Sequence, residues 1–287
     1  MPYTVAVSFD RYFENINLPG DHRATANTRR DDLLTSLKGT MTVLDAFSSG
    51  SIPRFTALRG LADLDVIAVL HYGVHIKGKR PSEVLQSLRD ALSEYRTNVR
   101  KNGQAVTLYY KTWPNVDIVP AAQISDASGN IVRYEIPDAK TEEWITSNPK
   151  AHALAIDSRS ASAGPLFRKM IKMMKHWSQS HGDFLQSYHI EVMALTALTA
   201  TLDDVPWTAF QFFDKAKELV KLPLWHAGAF ADAYLSYSDR KETIRRLDMA
   251  ASKARDAWYL TYPPMDDDRA AIGIWRQILG TDFPAHG

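Results

Sequence analysis

The chain has 287 residues, of which 45% are hydrophobic and 23% are charged, a balance typical of a folded globular protein. Its 34 basic and 33 acidic residues leave a formal net charge of +1, which lacks the basic bias of a protein that tracks long DNA or RNA. The absence of cysteine excludes a Cys-based zinc site and agrees with a cytoplasmic location. We find neither a signal-peptide pattern nor an apolar run long enough to span a membrane.

The N-terminal half alternates between helical and strand patterns. A long helix is indicated first, with Leu33, Leu37, Leu44 and Phe47 on its apolar side. Ser82 is the expected N-cap of the next helix, and Ser128-Gly129-Asn130 is typical of a hairpin turn. The predicted elements are, in chain order, a helix over 21–47, a strand over 63–70, a loop over 73–79, a helix over 83–100, and strands near 105–110, 116–120 and 131–136.

After Asn148-Pro149 the pattern becomes helical, while residues 224–237 remain ambiguous. We therefore predict an α+β protein with a mixed lobe over residues 1–160 and a helical lobe over residues 161–287. Ligand sites favour domain interfaces, so we expect the active site in the cleft between the lobes. The predicted helices of the second lobe lie near 164–180, 186–202, 206–220, 240–261 and 267–279.

A Gly-Ser pair followed by an Asp-x-Asp is the most informative motif. Asp63 and Asp65 open a run of strand-forming residues, and residues i and i+2 of a strand project from the same face. Two such carboxylates suit a hard divalent cation such as Mg²⁺. Gly50 and Ser51 precede them and offer backbone N–H groups and a hydroxyl to phosphate oxygens.

A third acid, Asp117, lies within another apolar, β-branched run. A charge in such a strand is costly unless a partner or a metal compensates it. If its strand lies beside that of Asp63 and Asp65, the three carboxylates could hold two metal ions for an in-line displacement. Each feature alone has an ordinary interpretation as a turn, a loop or an edge-strand charge; the combination favours phosphoryl or nucleotidyl transfer.

The stretch from Gly50 to Ile67 resembles the bacterial cGAS/DncV-like nucleotidyltransferases (CD-NTases) of the DNA polymerase β-type superfamily. That family has a Gly-Ser, then an Arg-x-Thr, matched by Arg54 and Thr56, and then an Asp-x-Asp. The resemblance implies a polymerase β-like catalytic lobe with a long N-terminal spine helix, followed by a helical lobe. It also implies that Asp63, Asp65 and Asp117 are the catalytic metal ligands.

Two further matches lie in the helical region. Lys175 falls at the family's Lys-x-Trp, where the lysine contacts the donor triphosphate; a solvated basic stripe is the ordinary alternative. Ser187 and Tyr188 match a phosphate-binding serine and a base-stacking aromatic. A helix N-cap and a core aromatic are the corresponding alternatives, and Glu191 is interpreted as a charge on a helix face.

The resemblance implies synthesis of a cyclic di- or trinucleotide from NTPs in anti-phage (CBASS) signalling. It implies two Mg²⁺ ions, with Mn²⁺ as a substitute, and as partners regulatory proteins and a downstream effector of the product. No long nucleic acid or membrane partner is expected. Gly287 resembles the conjugated terminal glycine of some CBASS cyclases, although we favour an ordinary chain end.

Two other function classes stay open at this level. The first is a nucleotidyltransferase that acts on another acceptor, such as a small molecule, a protein hydroxyl or an RNA 3′ end. The second is a non-catalytic nucleotide-binding protein. Balanced charge argues against RNA, and the three intact acids argue against a protein without activity.

Overall fold

The computed structural model describes residues 3–60, 63–95 and 98–286, so Gly287 lies outside the described residues. The chain divides into two compact units. A sheet unit comprises residues Leu18–Ala153 and Ala227–Ala229, and a helical unit comprises the N-terminal segment through Asn17 and the rest of the C-terminal half. The division differs from the predicted one because the N-terminal segment belongs with the helical unit.

Within its described residues, the sheet unit contains two complete α-helices and seven strands. The first helix of the chain, α1 (Val5–Ile16), precedes this unit in sequence and belongs to the helical unit. A π-helical turn at Tyr72–Ile76 lies in the segment predicted to be a loop. The elements of the sheet unit are α2 (Asp21–Thr40), β1 (Val43–Ser49), β2 (Leu64–Leu70), α3 (Pro81–Ser93), β3 (Val99–Asn102), β4 (Ala105–Leu108), β5 (Val116–Ser125), β6 (Ile131–Asp138) and β7 (Glu143–Ser147).

The seven strands form one mixed sheet in which β5 is the central element. Strand β2 pairs with β5 in parallel, and β1 and β4 flank this pair in antiparallel orientation. The order along the main path is β1-β2-β5-β4-β3, and β6 and β7 extend from the later part of β5. A parallel pair needs a long crossover, which here contains α3, β3 and β4.

Strand alternation gives the sheet two different faces. Leu64, Val66 and Ala68 of β2 lie in the larger core cluster, together with apolar residues of α2 and α3. Ile67 and Val69 belong to a smaller cluster on the other face, with residues of β5 and β6. Since residues i and i+2 share a face, Asp63 and Asp65 continue the row of Ile67 and Val69, opposite the helix-covered face.

The predicted helix over 21–47 is wrong at its C-terminal end. Helix α2 ends at Thr40, and Leu33 and Leu37 are buried as expected. Residues 43–49 instead form β1, whose backbone pairs with β2, and Leu44 is 50% exposed. The apolar spacing continues through this segment, but the β-branched Val43 and a neighbouring strand favour extended backbone.

Helix α3 is also shorter than predicted. It begins after Arg80, which is the N-cap in place of Ser82. The backbone N–H of Arg80 donates to the Glu83 carboxylate at 2.7 Å. The helix ends at Ser93, and residues 99–102 form β3, although residues 99 and 100 were predicted as the end of the helix. Strands β2, β4, β5 and β6 lie where strands were predicted, although β5 extends five residues further, to Ser125. The sequence pattern gave no indication of β3 or β7.

Besides α1, which the sequence analysis did not predict, the described residues of the helical unit contain six further helices and two short strands, of which the first helix and the second strand cross the unit boundary. Its helices after residue 164 agree with the predicted positions, and the ambiguous segment 224–237 contains a small two-stranded hairpin. The elements are α4 (Pro149–Ala163), which contains the unit boundary, α5 (Leu166–Ser180), α6 (Ser187–Ala197), α7 (Val205–Leu219), β8 (Trp225–His226), β9 (Ala229–Phe230), α8 (Tyr237–Tyr259) and α9 (Asp268–Leu279).

Aromatic contacts join the two ends of the chain inside this unit. Phe9 of α1 is fully buried, with its ring centroid 4.9 Å from that of Trp275 in α9 and 5.0 Å from that of Phe283. The backbone N–H of Val5 donates to the Asp268 carboxylate at 2.9 Å. Such aromatic pairs contribute about 0.5–1.5 kcal/mol beyond area burial, so α1 is held by its partner from the C-terminal region. No helix among the described residues is long and apolar enough to cross a membrane.

The buried His189 of α6 predicts a pH-dependent stability. Burial lowers the pKa of His189 to about 4; the charge of Asp232 acts in the opposite direction and that of Arg240 in the same one. Between pH 6.5 and about 4 the unfolded chain therefore binds more protons at this position, and the free energy of unfolding falls as the pH falls, by about 3 kcal/mol in total.

We expect His189→Gln to lose this part of the pH dependence, because an amide does not titrate. Urea unfolding at a series of pH values between 4 and 7 measures the difference between the two proteins. Equal losses of stability in the variant and the parent would contradict a buried neutral imidazole at this position.

Candidate active site in the sheet unit

One row of residues crosses four strands at the end of the parallel pair. Asp65 of β2 is the register partner of Ser49 in β1 on one side and of Asp117 in β5 on the other. Asp117 is in turn the partner of Thr107 in β4. Register partners project from the same face of a sheet, so this arrangement places Asp65 and Asp117 side by side, as predicted if their strands were adjacent.

Gly50 packs directly against the Asp65 carboxylate. A Cβ added to Gly50 would lie 1.7 Å from Oδ2 of Asp65, so only a residue without a side chain fits here. The backbone of Gly50 also has φ of +73°, which favours glycine. Of the Gly-Ser pair predicted to precede the acids, Gly50 is therefore the residue that packs on the Asp65 carboxylate.

Asp63 lies just before β2, and Asn115 holds its carboxylate. The side chain and the backbone N–H of Asn115 both donate to Asp63. The same Asn115 accepts from the backbone N–H of Leu64 at 3.0 Å through its carbonyl and from that of Tyr110 at 3.2 Å through its side chain. Asn115 thus joins the acid before β2 to the segment that leads into β5.

The pKa of the Asp63 carboxyl is raised, in part by the neighbouring negative charge of Asp117. Partial desolvation raises this pKa above its usual value, the charge of Asp117 raises it further, and the two hydrogen bonds from Asn115 lower it. A neighbouring carboxylate that raises the pKa in this way must lie within electrostatic reach. Asp63, Asp65 and Asp117 therefore form one acidic group, which a bound cation would stabilise.

Thr107 orients the third acid. Its hydroxyl donates a hydrogen bond to Oδ1 of Asp117, and its side chain is 2% exposed. This hydroxyl, held in the neighbouring strand, fixes one of the two carboxylate oxygens of Asp117. This buried donor accounts for how a charge is accommodated in the strand Val116–Ser125.

The donor set suits magnesium better than a preformed metal cage. Within residues 3–60, 63–95 and 98–286, no group of three or more His, Cys, Asp or Glu side chains has by itself the arrangement needed to hold a metal ion. Mg²⁺ keeps several waters and is usually bound by one or two carboxylates plus substrate phosphates. The register partners Asp65 and Asp117, with Asp63 within electrostatic reach of Asp117, fit that mode.

The loop between β1 and β2 carries the remaining motif residues of this unit. Ser51 is half-buried, and its carbonyl accepts from the N–H of Thr56 at 3.0 Å, which closes the loop into a compact turn. Arg54 is 8% exposed and Thr56 is fully buried. The Arg-x-Thr positions therefore stabilise the loop from within, next to the segment that carries Gly50 and Ser51.

In the helical unit, the predicted triphosphate ligand Lys175 forms a buried ion pair. Its Nζ lies 2.6 Å from Oε1 of Glu191, and the two side chains are 3% and 0% exposed. Glu191 was interpreted as a charge on a helix face; that interpretation is wrong, because α6 packs it against α5. The contact of Lys175 with a triphosphate stays a prediction.

Ser187 and Tyr188 open helix α6. The N-cap is Gln186, so the alternative that Ser187 caps the helix does not hold; Ser187 is the first helical residue and is exposed. Tyr188 is half-buried, and its hydroxyl donates to the carbonyl of His226 at 2.9 Å. The ring is thus fixed from one end without being a fully buried core aromatic, and nucleotide stacking stays a prediction.

Three supporting residues were missed by sequence reasoning. Asn115 could have been found, because it lies two residues before Asp117 and therefore on the same face of that strand. Thr107 is a single hydroxyl between apolar neighbours, which is a weak signal on its own. The burial of Glu191 has no local signal, since it depends on the packing of two helices.

Comparison with known families decides the identity of the chain. Residues 3–159 match the model of the Second Messenger Oligonucleotide or Dinucleotide Synthetase domain, which is more than half of the chain. The chain belongs to this family. A curated relative is the cyclic AMP-AMP-AMP synthase of an Acinetobacter species. It is 26% identical in an alignment of 287 positions, gaps included, that covers 92% of this chain and 80% of the relative.

Solved structures of the synthetase family share the fold. CdnC of E. coli MS115-1 with ATP aligns with a TM-score of 0.79 at 18% identity and covers 97% of this chain and 98% of that one. The same protein in complex with HORMA-deltaN aligns with a TM-score of 0.76, at the same identity and coverage. The predicted α+β class with a polymerase β-like nucleotidyltransferase lobe is confirmed, as is the resemblance to the cGAS/DncV-like enzymes.

The contact between Gly50 and Asp65 predicts a selective loss of activity. We expect Gly50→Ala to lower nucleotidyl transfer at least 10-fold, because the new methyl group must displace the carboxylate or the loop. The measurement is pyrophosphate release from NTPs by the purified variant, with a thermal melt to monitor folding.

Gly60→Ala is the matched control. Gly60 has φ of +72°, nearly the same as Gly50, but nothing lies within 4 Å of an added Cβ. Both substitutions carry the same backbone strain, of order 1 kcal/mol, and only one touches an acid. Equal activity losses in the two variants would contradict a specific role for the Gly50 contact.

Thr107 provides a second test of the site. Thr107→Val keeps the β-branched shape and removes the donor to Asp117, so we expect about a 10-fold loss of activity. Thr107→Ser restores the hydroxyl and should recover most of it. Steady-state rates at several Mg²⁺ concentrations measure the effect, and a serine variant no better than valine would argue against the hydrogen bond.

Proposed function

We propose that this chain joins NTPs into a cyclic di- or trinucleotide second messenger in bacterial anti-phage (CBASS) signalling. The observation that carries the proposal is the adjacency of Asp65 and Asp117 in the parallel pair β2–β5. Asp63 lies within electrostatic reach of Asp117. Membership of a family of oligonucleotide and dinucleotide synthetases supports it. The site argues nucleotidyl transfer, and cyclisation follows from the family.

The three acids are proposed to hold two Mg²⁺ ions, with Mn²⁺ as a substitute. When bound, such ions lower the pKa of an attacking hydroxyl and neutralise charge on the transferred phosphate. Asp65 is positioned for this by Gly50 and Asp117 by Thr107, so both carboxylates are oriented before substrate arrives. Asn115 does the same for Asp63.

The proposed reaction is an in-line displacement at the α-phosphorus. A ribose hydroxyl of the acceptor nucleotide forms the new P–O bond, the bond to pyrophosphate breaks, and pyrophosphate leaves. Asp117 orients that hydroxyl and takes up its proton, since one of its oxygens is held by Thr107. A second or third displacement of the same kind within the linear product closes the ring.

Nucleotide binding is proposed to use Gly50 and Ser51 in the sheet unit and Lys175, Ser187 and Tyr188 in the helical unit. ATP is a proposed substrate, because the Acinetobacter relative is named for a product made of AMP units and the E. coli CdnC structure contains ATP. The CdnC:HORMA-deltaN complex supports a regulatory protein as a partner. A downstream effector would respond to the product.

The acids supply the direct test of this function. Purified protein is incubated with all four NTPs and Mg²⁺ or Mn²⁺, treated with phosphatase and analysed by mass spectrometry for cyclic products. We expect Asp63→Asn and Asp65→Asn to lower product formation roughly 100-fold or more while the proteins stay folded, because a metal-binding carboxylate is removed.

Asp45→Asn is the matched control for the acidic site. Asp45 lies on β1 of the same sheet, 3.0 Å from Lys150, and its side chain is 44% exposed. Loss of such an exposed pair should change activity less than about twofold. NTP binding without any pyrophosphate release by the parent protein, or normal product from Asp65→Asn, would contradict the proposed function.

A further inference from the structure

The ion pair between Lys175 and Glu191 is unusual in its burial. It joins helices α5 and α6, with Nζ and Oε1 2.6 Å apart, and both side chains are almost completely shielded from solvent. Two charges removed from water carry a large desolvation cost that their attraction only partly offsets. Apolar side chains of similar size would fill this place at least as well, so stability alone does not account for the pair.

The two partners differ in what they can touch. Glu191 is 0% exposed, so its carboxylate is enclosed by protein, whereas Lys175 retains 3% exposure. A ligand can therefore meet this pair through the lysine only.

The surroundings point the same way. Lys175 and Glu191 lie on the two helices that also carry the other nucleotide-binding candidates, since Ser187 and Tyr188 begin α6 one turn before Glu191. Ser187 is exposed, and Tyr188 is anchored by its hydroxyl to the carbonyl of His226. The ion pair thus fixes α5 to the first turns of the helix on which those residues stand.

We infer that Glu191 is a positioning residue for nucleotide binding, which holds the Lys175 ammonium in place for the triphosphate. The inference rests on the proposed function and extends it to a residue that does not touch substrate. A lysine side chain has four rotatable bonds, so a mobile ammonium loses rotamer freedom when a ligand fixes it. A buried carboxylate that fixes the ammonium in advance removes that cost from nucleotide binding.

The test compares two ligands that differ in their phosphates. The dissociation constants of α,β-methylene-ATP, which cannot release pyrophosphate, and of AMP are measured by calorimetry in Mg²⁺. For Glu191→Gln we expect about a 10-fold weaker binding of the triphosphate analogue and less than a twofold change for AMP. Glu191→Asp keeps the charge but shortens the side chain by one methylene, which draws the ammonium back. Its loss of affinity for the triphosphate analogue should therefore lie between those of the parent protein and Glu191→Gln.

A doubly apolar variant separates positioning from packing. Lys175→Met combined with Glu191→Leu removes both charges and should melt at or above the temperature of the parent protein. We nevertheless expect it to bind the triphosphate analogue as weakly as Lys175→Met alone. Leu247→Ala, which truncates a fully buried core residue of α8, is the control for general destabilisation and should leave both affinities unchanged.

Several results would overturn the inference. Unchanged affinity for the triphosphate analogue in a folded Glu191→Gln, or in the doubly apolar variant, would make the pair a packing feature. Equal losses for AMP and for the triphosphate analogue would do the same. The proposed function fails separately: a parent protein that binds the analogue with the expected selectivity but forms no product from NTPs supports the inference and contradicts synthesis.

Discussion

The parallel pairing of β2 with β5 is the constraint on which the site depends. Parallel strands run in the same direction, so their equivalent ends meet at one edge of the sheet, and the acids of two distant segments become register partners there. A slip of one residue would move Asp117 to the face covered by α2 and α3. The alternating core residues on both faces therefore fix the chemistry as firmly as they fix the fold.

Support for the acids comes from neutral donors placed around them. Partial desolvation and the charge of Asp117 both raise the pKa of Asp63, and hydrogen bonds from Asn115 to Asp63 and from Thr107 to Asp117 act in favour of the charged carboxylates. The helical unit solves a related problem with an ion pair, where Glu191 neutralises a lysine that is 3% exposed. In both places a group removed from substrate determines the orientation of a group proposed to meet it.

The extent to which sequence alone predicts this protein follows from the range of each interaction. Asp63 and Asp65 could be paired from spacing, because the i and i+2 positions of a strand lie on one face. Asp117 could be assigned as a candidate from its apolar surroundings, but its position beside Asp65 required a strand order that no local pattern specifies. The helix predicted to reach residue 47 failed for the same reason, since pairing of β1 with β2 overrides an apolar spacing that suits either structure. The burial of Glu191 likewise arises from packing between α5 and α6.

The two units differ in the order in which a ribosome can complete them. Nearly all of the sheet unit lies within one continuous stretch, Leu18–Ala153, so its strands can pair while the rest of the chain is still being translated. The first helix is synthesised before them, yet some of its partners follow only after the whole sheet unit: Val5 bonds to Asp268, and Phe9 packs on Trp275. During translation the part of α1 that packs on α9 therefore stays uncovered until α9 has left the exit tunnel. The acidic site can form early, whereas the helical unit closes only after α9 has been synthesised.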